Sequence, residues 1–157
     1  MSNKLQIIII LIIPIIAFMF YLDRENISLR DFFVTKTPIV HFGDLPIRVE
    51  IADSASELTK GLSGRSDMGD KDGLFFIFPD TDYHGIWMKD MRFPIDIIWI
   101  SEELEVIGIT KNVSPESYPK VFRPEKPVRY VLETEVGHAD LVGIHVGNKV
   151  RIPLDEL

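Results

Sequence analysis

Cysteine is absent from all 157 residues. Its absence excludes a disulfide scaffold, a cysteine nucleophile, a thiolate metal site and the lipid-bearing cysteine of a lipoprotein. Basic charge is also scarce: 17 Lys and Arg stand against 24 Asp and Glu, a formal net charge of −7. Neutralising phosphates needs a basic face, and no lysine or arginine cluster is present, so nucleic acid is not an expected partner. The four histidines, His41, His84, His138 and His145, include no H-E-x-x-H pair, which removes the common zinc-protease pattern. There is no G-x-S-x-G elbow and no phosphate-cradling glycine loop, so neither a serine hydrolase nor a nucleotide-binding protein is indicated.

What is abundant is apolar sequence at one end. A mean hydropathy of +0.13 and 46% hydrophobic residues sit oddly with the acidity. The first 22 residues account for this, with 17 apolar side chains and one charge, Lys4; without them, 135 residues remain with 16 basic and 24 acidic groups, net −8. The run at 5–22, LQIIIILIIPIIAFMFYL, is interrupted only by Gln6 and Pro14. As a helix it would reach about 27 Å, close to the roughly 30 Å hydrocarbon core, and membrane helices tolerate a proline. A cleaved signal peptide is the rival reading, but the small-x-small site that would follow its apolar core is missing. The run therefore reads as an uncleaved transmembrane anchor. Lys4 and the terminal amine precede it, while Asp23, Arg24 and Glu25 follow. The positive-inside bias puts the N-terminus in the cytoplasm and the rest of the chain outside. Residues 23–37 read as a linker of at most about 50 Å, and 38–157 as a single extracytoplasmic domain.

That domain has the pattern of short strands. Segments 39–42 and 47–52 flank Gly43-Asp44, and Ile47, Val49 and Ile51 alternate with Arg48 and Glu50, predicting a hairpin with one buried face. Ser54 to Glu57 has capping-box spacing, with Leu58 and Leu62 one turn apart and Gly61 and Gly64 as terminators, predicting a short helix. Further strands are expected at 74–78, 84–89, 96–101, 104–110, 128–133 and 149–152, and a second short helix at 138–142. Four prolines between Ser114 and Pro127 predict a long, semi-rigid connection rather than sheet. The expected fold is mainly β (α+β): a compact, partly closed β-barrel or curved sheet with one or two short helices, preceded by the anchor.

Residues 61–100, GLSGRSDMGDKDGLFFIFPDTDYHGIWMKDMRFPIDIIWI, resemble the signature of the domain of unknown function 192 family. Its elements correspond to Gly61, Leu62 and Arg65; the stretch 73–78; Trp87, Met88 and Lys89; and Pro94, Asp96, Ile97 and Ile98. The stretches 130–133 and 143–150, with Gly137 between them, fit as well. Asp90-Met91 stands where Asn-Thr is usual, and Asn148 where aspartate is usual. The resemblance implies the fold group and frequent export or anchoring, and supplies no activity.

Arg65, Trp87, Lys89, Asp96 and Glu133 are the candidate site residues, with no catalytic group, metal or cofactor assigned. Arg65, Lys89, Asp96 and Glu133 are expected to converge, foremost as a fold-fixing ion-pair network, with ligand binding second and acid-base chemistry by the two carboxylates third. Trp87 is expected in the core, with Lys89 paired to Asp96 or Glu133; exposed together, Trp87 and Lys89 would instead offer a plate for a sugar ring and a charge for an anionic group. Asp80, Asp82 and His84, and separately Asp67, Asp70 and Asp72, supply oxygen and nitrogen donors, but neither group completes a calcium loop. The expected function is a membrane-anchored extracytoplasmic binding or interaction module facing an envelope glycan or another exported protein. The alternatives are a glycan-directed hydrolase or transferase using Asp96 and Glu133, and a structural partner in envelope assembly.

Overall fold

The computed structural model describes residues 37–152 continuously, together with Pro14, Ala17, Phe18 and Tyr21. The chain divides into two units, Met1–Lys36 and Thr37–Leu157. In the first, the four described positions are helical; the expected anchor at 5–22 and linker at 23–37 otherwise lie outside the described residues. Among the described residues no helix is long and apolar enough to cross a membrane.

The second unit is built on a seven-stranded sheet. Strands β1 (Ile39–Phe42) and β2 (Leu45–Ala52) form the expected hairpin across Gly43-Asp44. Helix α1 (Ala55–Lys60) follows, with Ser54 as its N-cap and Glu57 completing the capping box. The remaining strands are β3 (Gly73–Asp82), β4 (Ile86–Trp87), β5 (Ile95–Ile100), β6 (Val106–Val113), β7 (Val121–Phe122), β8 (Val128–Glu135) and β9 (Val150–Arg151), with α2 (His138–Leu141) between the last two. The sheet order is β6-β5-β8-β3-β2-β1-β9, and β4 pairs with β7 as a separate ribbon.

The sheet curls until its two edges meet. Asn148 C=O accepts from Val106 N–H at 2.9 Å, Leu104 C=O accepts from Val150 N–H at 2.8 Å, and Glu105 bridges Lys149. Backbone pairing at this seam shields edge groups that would otherwise be open for association. The result is the partly closed, curled half-barrel with two short helices.

Both faces of the sheet are covered. Phe75 and Phe76 are adjacent on β3, point to opposite faces, and belong to two different apolar clusters. The inner cluster includes Val40, Phe42, Val49, Phe75, Ile98, Ile100 and Leu132. The outer one includes Leu62, Leu74, Phe76, Ile86, Met88, Ile97 and Trp99. This double coverage explains why every residue of β5 is buried. β2 and β3 run parallel, and a parallel pair needs a crossover. Here the crossover carries α1 and the 61–72 loop over the outer face, with Leu58, Leu62 and Met68 packed there. Gly73 starts β3 because a Cβ there would lie 2.7 Å from the Glu133 carbonyl oxygen.

Two expected elements differ. The strand expected at 84–89 is only two residues long, because its one partner among the described residues is the equally short β7. The connection expected to stay out of any sheet contains that partner: Val121 and Phe122, between Pro119 and Pro124, keep their N–H groups and pair with Trp87 and Ile86.

Candidate functional site

The outer face holds a buried carboxyl, Glu133. Register places Glu133 of β8 opposite Leu74 of β3 and Ile97 of β5, and Leu74 opposite Glu50 of β2. These residues form a cross-strand row on the outer face. Glu133 is 4% exposed, and among the described residues its carboxyl makes no hydrogen bond. It forms the floor of a small outward-opening cleft of about 30 Å³, room for a group the size of a water or a hydroxyl, walled by Leu58, Gly61, Leu62, Phe76, Ile86, Trp87 and Met91. Burial pushes the Glu133 carboxyl up to about 8, only partly opposed by the Arg65 guanidinium, since desolvation penalises the charged form.

Arg65 does not neutralise Glu133 because it has a partner of its own. Both terminal guanidinium nitrogens of Arg65 donate to Glu50, each at 2.7 Å, the bidentate fork that suits Arg and carboxylate. The pair raises Arg65 above its ordinary range and lowers Glu50. It also clamps the crossover loop to β2.

The mouth of the cleft is fixed by the same loop. Ser63 Oγ donates to Lys89 C=O at 2.7 Å, and Gly64 N–H donates to Asp90 C=O at 2.8 Å. Gly61 roofs the cleft at φ 49, where a Cβ would lie 3.3 Å from the Phe76 ring and 4.0 Å from Glu133 Oε2; glycine leaves that space open and adopts the left-handed backbone cheaply. Asp90 also has a left-handed φ of 57, which Asn and Asp tolerate best among residues with a Cβ. Its replacement of the usual asparagine therefore preserves the turn. Asn148 in place of aspartate likewise keeps a function, since its Oδ1 accepts from His145 N–H at 2.7 Å.

Trp87 is not a core residue. It is 44% exposed, in edge-to-face contact with Tyr118 at 6.5 Å, and Lys89 Nζ lies 5.9 Å from its ring centroid. The reason is alternation: Ile86 and Met88 are buried against the sheet, which turns Trp87 and Lys89 outward. Lys89 pairs with neither Asp96 nor Glu133.

Nor do the four polar candidates converge. Asp96 lies opposite Thr134 while Glu133 lies opposite Ile97, so the two carboxylates point to opposite faces of the sheet. Asp96 is 1% exposed and accepts from Asn112 N–H at 2.8 Å and Gly137 N–H at 2.9 Å. It is a buried acceptor for two turns on the inner side, beyond reach of the cleft. The structure thus brings Trp87, Lys89 and Glu133 to one place, leaves Arg65 behind Glu133 as a clamp, and excludes Asp96.

The acidic segments have local partners. Asp72 takes a bidentate hydrogen bond from Arg48, Asp67 accepts from Gly69 N–H, and His84 stacks on Phe78 with centroids 3.8 Å apart. Among the described residues no group of three potential metal ligands comes together. Sequence reasoning missed Gly61, Tyr118 and Glu50. In the sequence Gly61 reads as a helix terminator and as part of a family motif, and Glu50 as the exposed half of an alternating strand, neither as part of a site.

The model of the domain of unknown function 192 family, described as an uncharacterized ACR, matches residues 39–152. The chain belongs to this family. A UPF0127 protein of Pyrococcus abyssi (strain GE5 / Orsay) is 29% identical over 109 residues, 66% of this chain and 85% of that protein. Among solved structures, a protein of unknown function from Novosphingobium aromaticivorans DSM 12444 is 31% identical with a TM-score of 0.67, covering 73% of this chain and 83% of that one. A Sinorhizobium meliloti 1021 protein, described as a proposed transcription regulator, is 26% identical with a TM-score of 0.67, covering 77% of this chain and 95% of that one.

Proposed function

We propose that this protein is a membrane-tethered extracytoplasmic binding module whose ligand enters the cleft above Glu133. One observation carries the reading: a buried carboxyl, without a hydrogen-bond partner among the described residues, faces an open cleft with an exposed tryptophan at its rim. Burying such a group unpaired is costly and contributes nothing to folding, whereas a concave site that combines apolar walls with a perturbed polar group is a usual form of a ligand pocket. The tether rests on the apolar run at 5–22, and the outward orientation on Lys4 before it and the acidic bias after it.

Acid-base catalysis by Asp96 and Glu133 is disfavoured, because the two groups are separated by the sheet itself. The transcription-related description of the Sinorhizobium protein is not carried over, because a domain of net charge −8 lacks a basic face for nucleic acid.

Two measurements on the full chain test the reading. In cells stripped of any outer barrier, added protease should remove a C-terminal tag; a protected tag overturns the orientation. Hydrogen exchange at residues 61–63 and 86–88 should be slower in native membranes, where the ligand is present, than in purified micelles. Equal exchange in the two settings overturns the binding site.

A further inference from the structure

The charges around the cleft are not those of the domain as a whole. Arg48, Arg65, Lys71, Lys111 and Lys149 are each held by a carboxylate. Lys60 lines the cleft, and with Ser63, Gly64, Asp90, Met91 and Arg92 it also lines a shallow depression beside it. Lys89 stands over the Trp87 ring at the rim. Among the described residues, Lys60, Lys89 and Arg92 form no ion pair, and Asp90 is the one carboxylate in that depression. Three of the eight described Lys and Arg that form no ion pair thus lie around the cleft above the buried Glu133.

We propose that the cleft takes an acidic saccharide: a hydroxyl-rich ring stacked on Trp87, with its anionic substituent among Lys60, Lys89 and Arg92. The assignment rests on the binding-module reading and names its ligand class. Each part of the site matches one part of such a ligand. An exposed indole flanked by Tyr118 presents a flat apolar surface to the C–H face of a sugar ring. A buried carboxyl without a partner needs a group that both donates and accepts, and a sugar hydroxyl does both. A neutral apolar ligand would leave Glu133 unsatisfied at full desolvation cost. A cationic ligand would meet three unpaired cations, whereas an anionic substituent is drawn to them and raises the association rate at low salt.

The test is isothermal titration calorimetry on the full chain in lauryldimethylamine oxide micelles, whose head group contains no sugar, with trigalacturonic acid and the neutral trisaccharide maltotriose as probes. The acidic trimer should bind at least tenfold more tightly than the neutral one. The combined K60Q, K89Q and R92Q substitutions should bring that ratio close to one, and W87A should weaken both probes by tenfold or more. Thermal unfolding of each variant confirms that it is folded. Equal affinity for both probes, still dependent on Trp87, overturns the acidic class while leaving the cleft as a binding site. Acidic-trimer affinity unchanged in W87A overturns stacking and with it the saccharide. Binding of neither probe overturns the ligand class, and hydrogen exchange in native membranes then decides the broader reading separately.

Discussion

Replacing Glu133 by glutamine keeps the shape of the side chain and removes its titration. In the folded protein the carboxyl holds its proton up to about pH 8, against an ordinary value of 4.5. Between those two values the unfolded chain is ionised at this position and the folded chain is not, so the folded state binds more protons. Stability must then fall as pH rises through that window, by about 1.4 kcal/mol per pH unit, and level off above about pH 8. The accumulated cost is about 3 kcal/mol at pH 7 and about 5 kcal/mol above pH 8. At 4% exposure there is little solvent to screen it. E133Q should therefore match the parent within about 1 kcal/mol near pH 5 and exceed it by about 3 kcal/mol at pH 7. The assay is urea unfolding of the full chain in micelles at pH 5, 6, 7, 8 and 9, followed through tryptophan emission, to which buried Trp99 is the natural reporter. The difference between the two curves isolates Glu133, since other carboxylates titrate in both proteins. A stability difference that stays constant from pH 5 to pH 9 would refute the reasoning, because it would mean that the folded protein solvates the Glu133 charge as well as water does.

D96A should cost about 2 kcal/mol in urea unfolding, as it removes the buried acceptor of two part-buried backbone N–H donors; D96N, which keeps one acceptor oxygen, should lose about half of that. S54A should cost about 1 kcal/mol, the usual worth of an N-cap, seen as a lowered unfolding midpoint with an unchanged cleft. The Glu50 carboxyl is held low by Arg65, so its stabilisation is present above the ordinary carboxylate range and vanishes as pH falls through its folded value. E50Q should thus be less stable than the parent by at most about 1 kcal/mol at pH 7, given how exposed the pair is. The two should converge in acid, which unfolding curves at pH 2 to 5 would check.

Much of the fold could be read from local patterns. The hairpin around Gly43-Asp44, the capping box at Ser54 and the helix at 138 each rest on neighbours a few residues apart, and such signals survive in any tertiary setting. The short ribbon of β4 and β7 could not be read the same way, because each strand exists only through a partner some 35 residues distant. The site followed the same division. Trp87, Lys89 and Glu133 were singled out by type and motif, but grouping them with Asp96 required knowing which face each occupies. A shift of one position along β5 against β8 decides that, and no local signal encodes it.

Lacking cysteine and a basic cluster, the sequence by itself determined what chemistry is unavailable, where the apolar run lies, and that the remainder would be a mainly β domain of its family, since composition and short-range periodicity carry that information. Only the tertiary structure decided that Trp87 faces outward, that Arg65 belongs to Glu50, and that Glu133 sits unpaired beneath a cleft while Asp96 serves turns on the other side. The physical reason is that burial and pairing depend on which distant strands and loops cover each face. The crossover that brings α1 and Gly61 over β8 is set by the parallel pairing of β2 with β3, a contact between segments that sequence reading treats as separate.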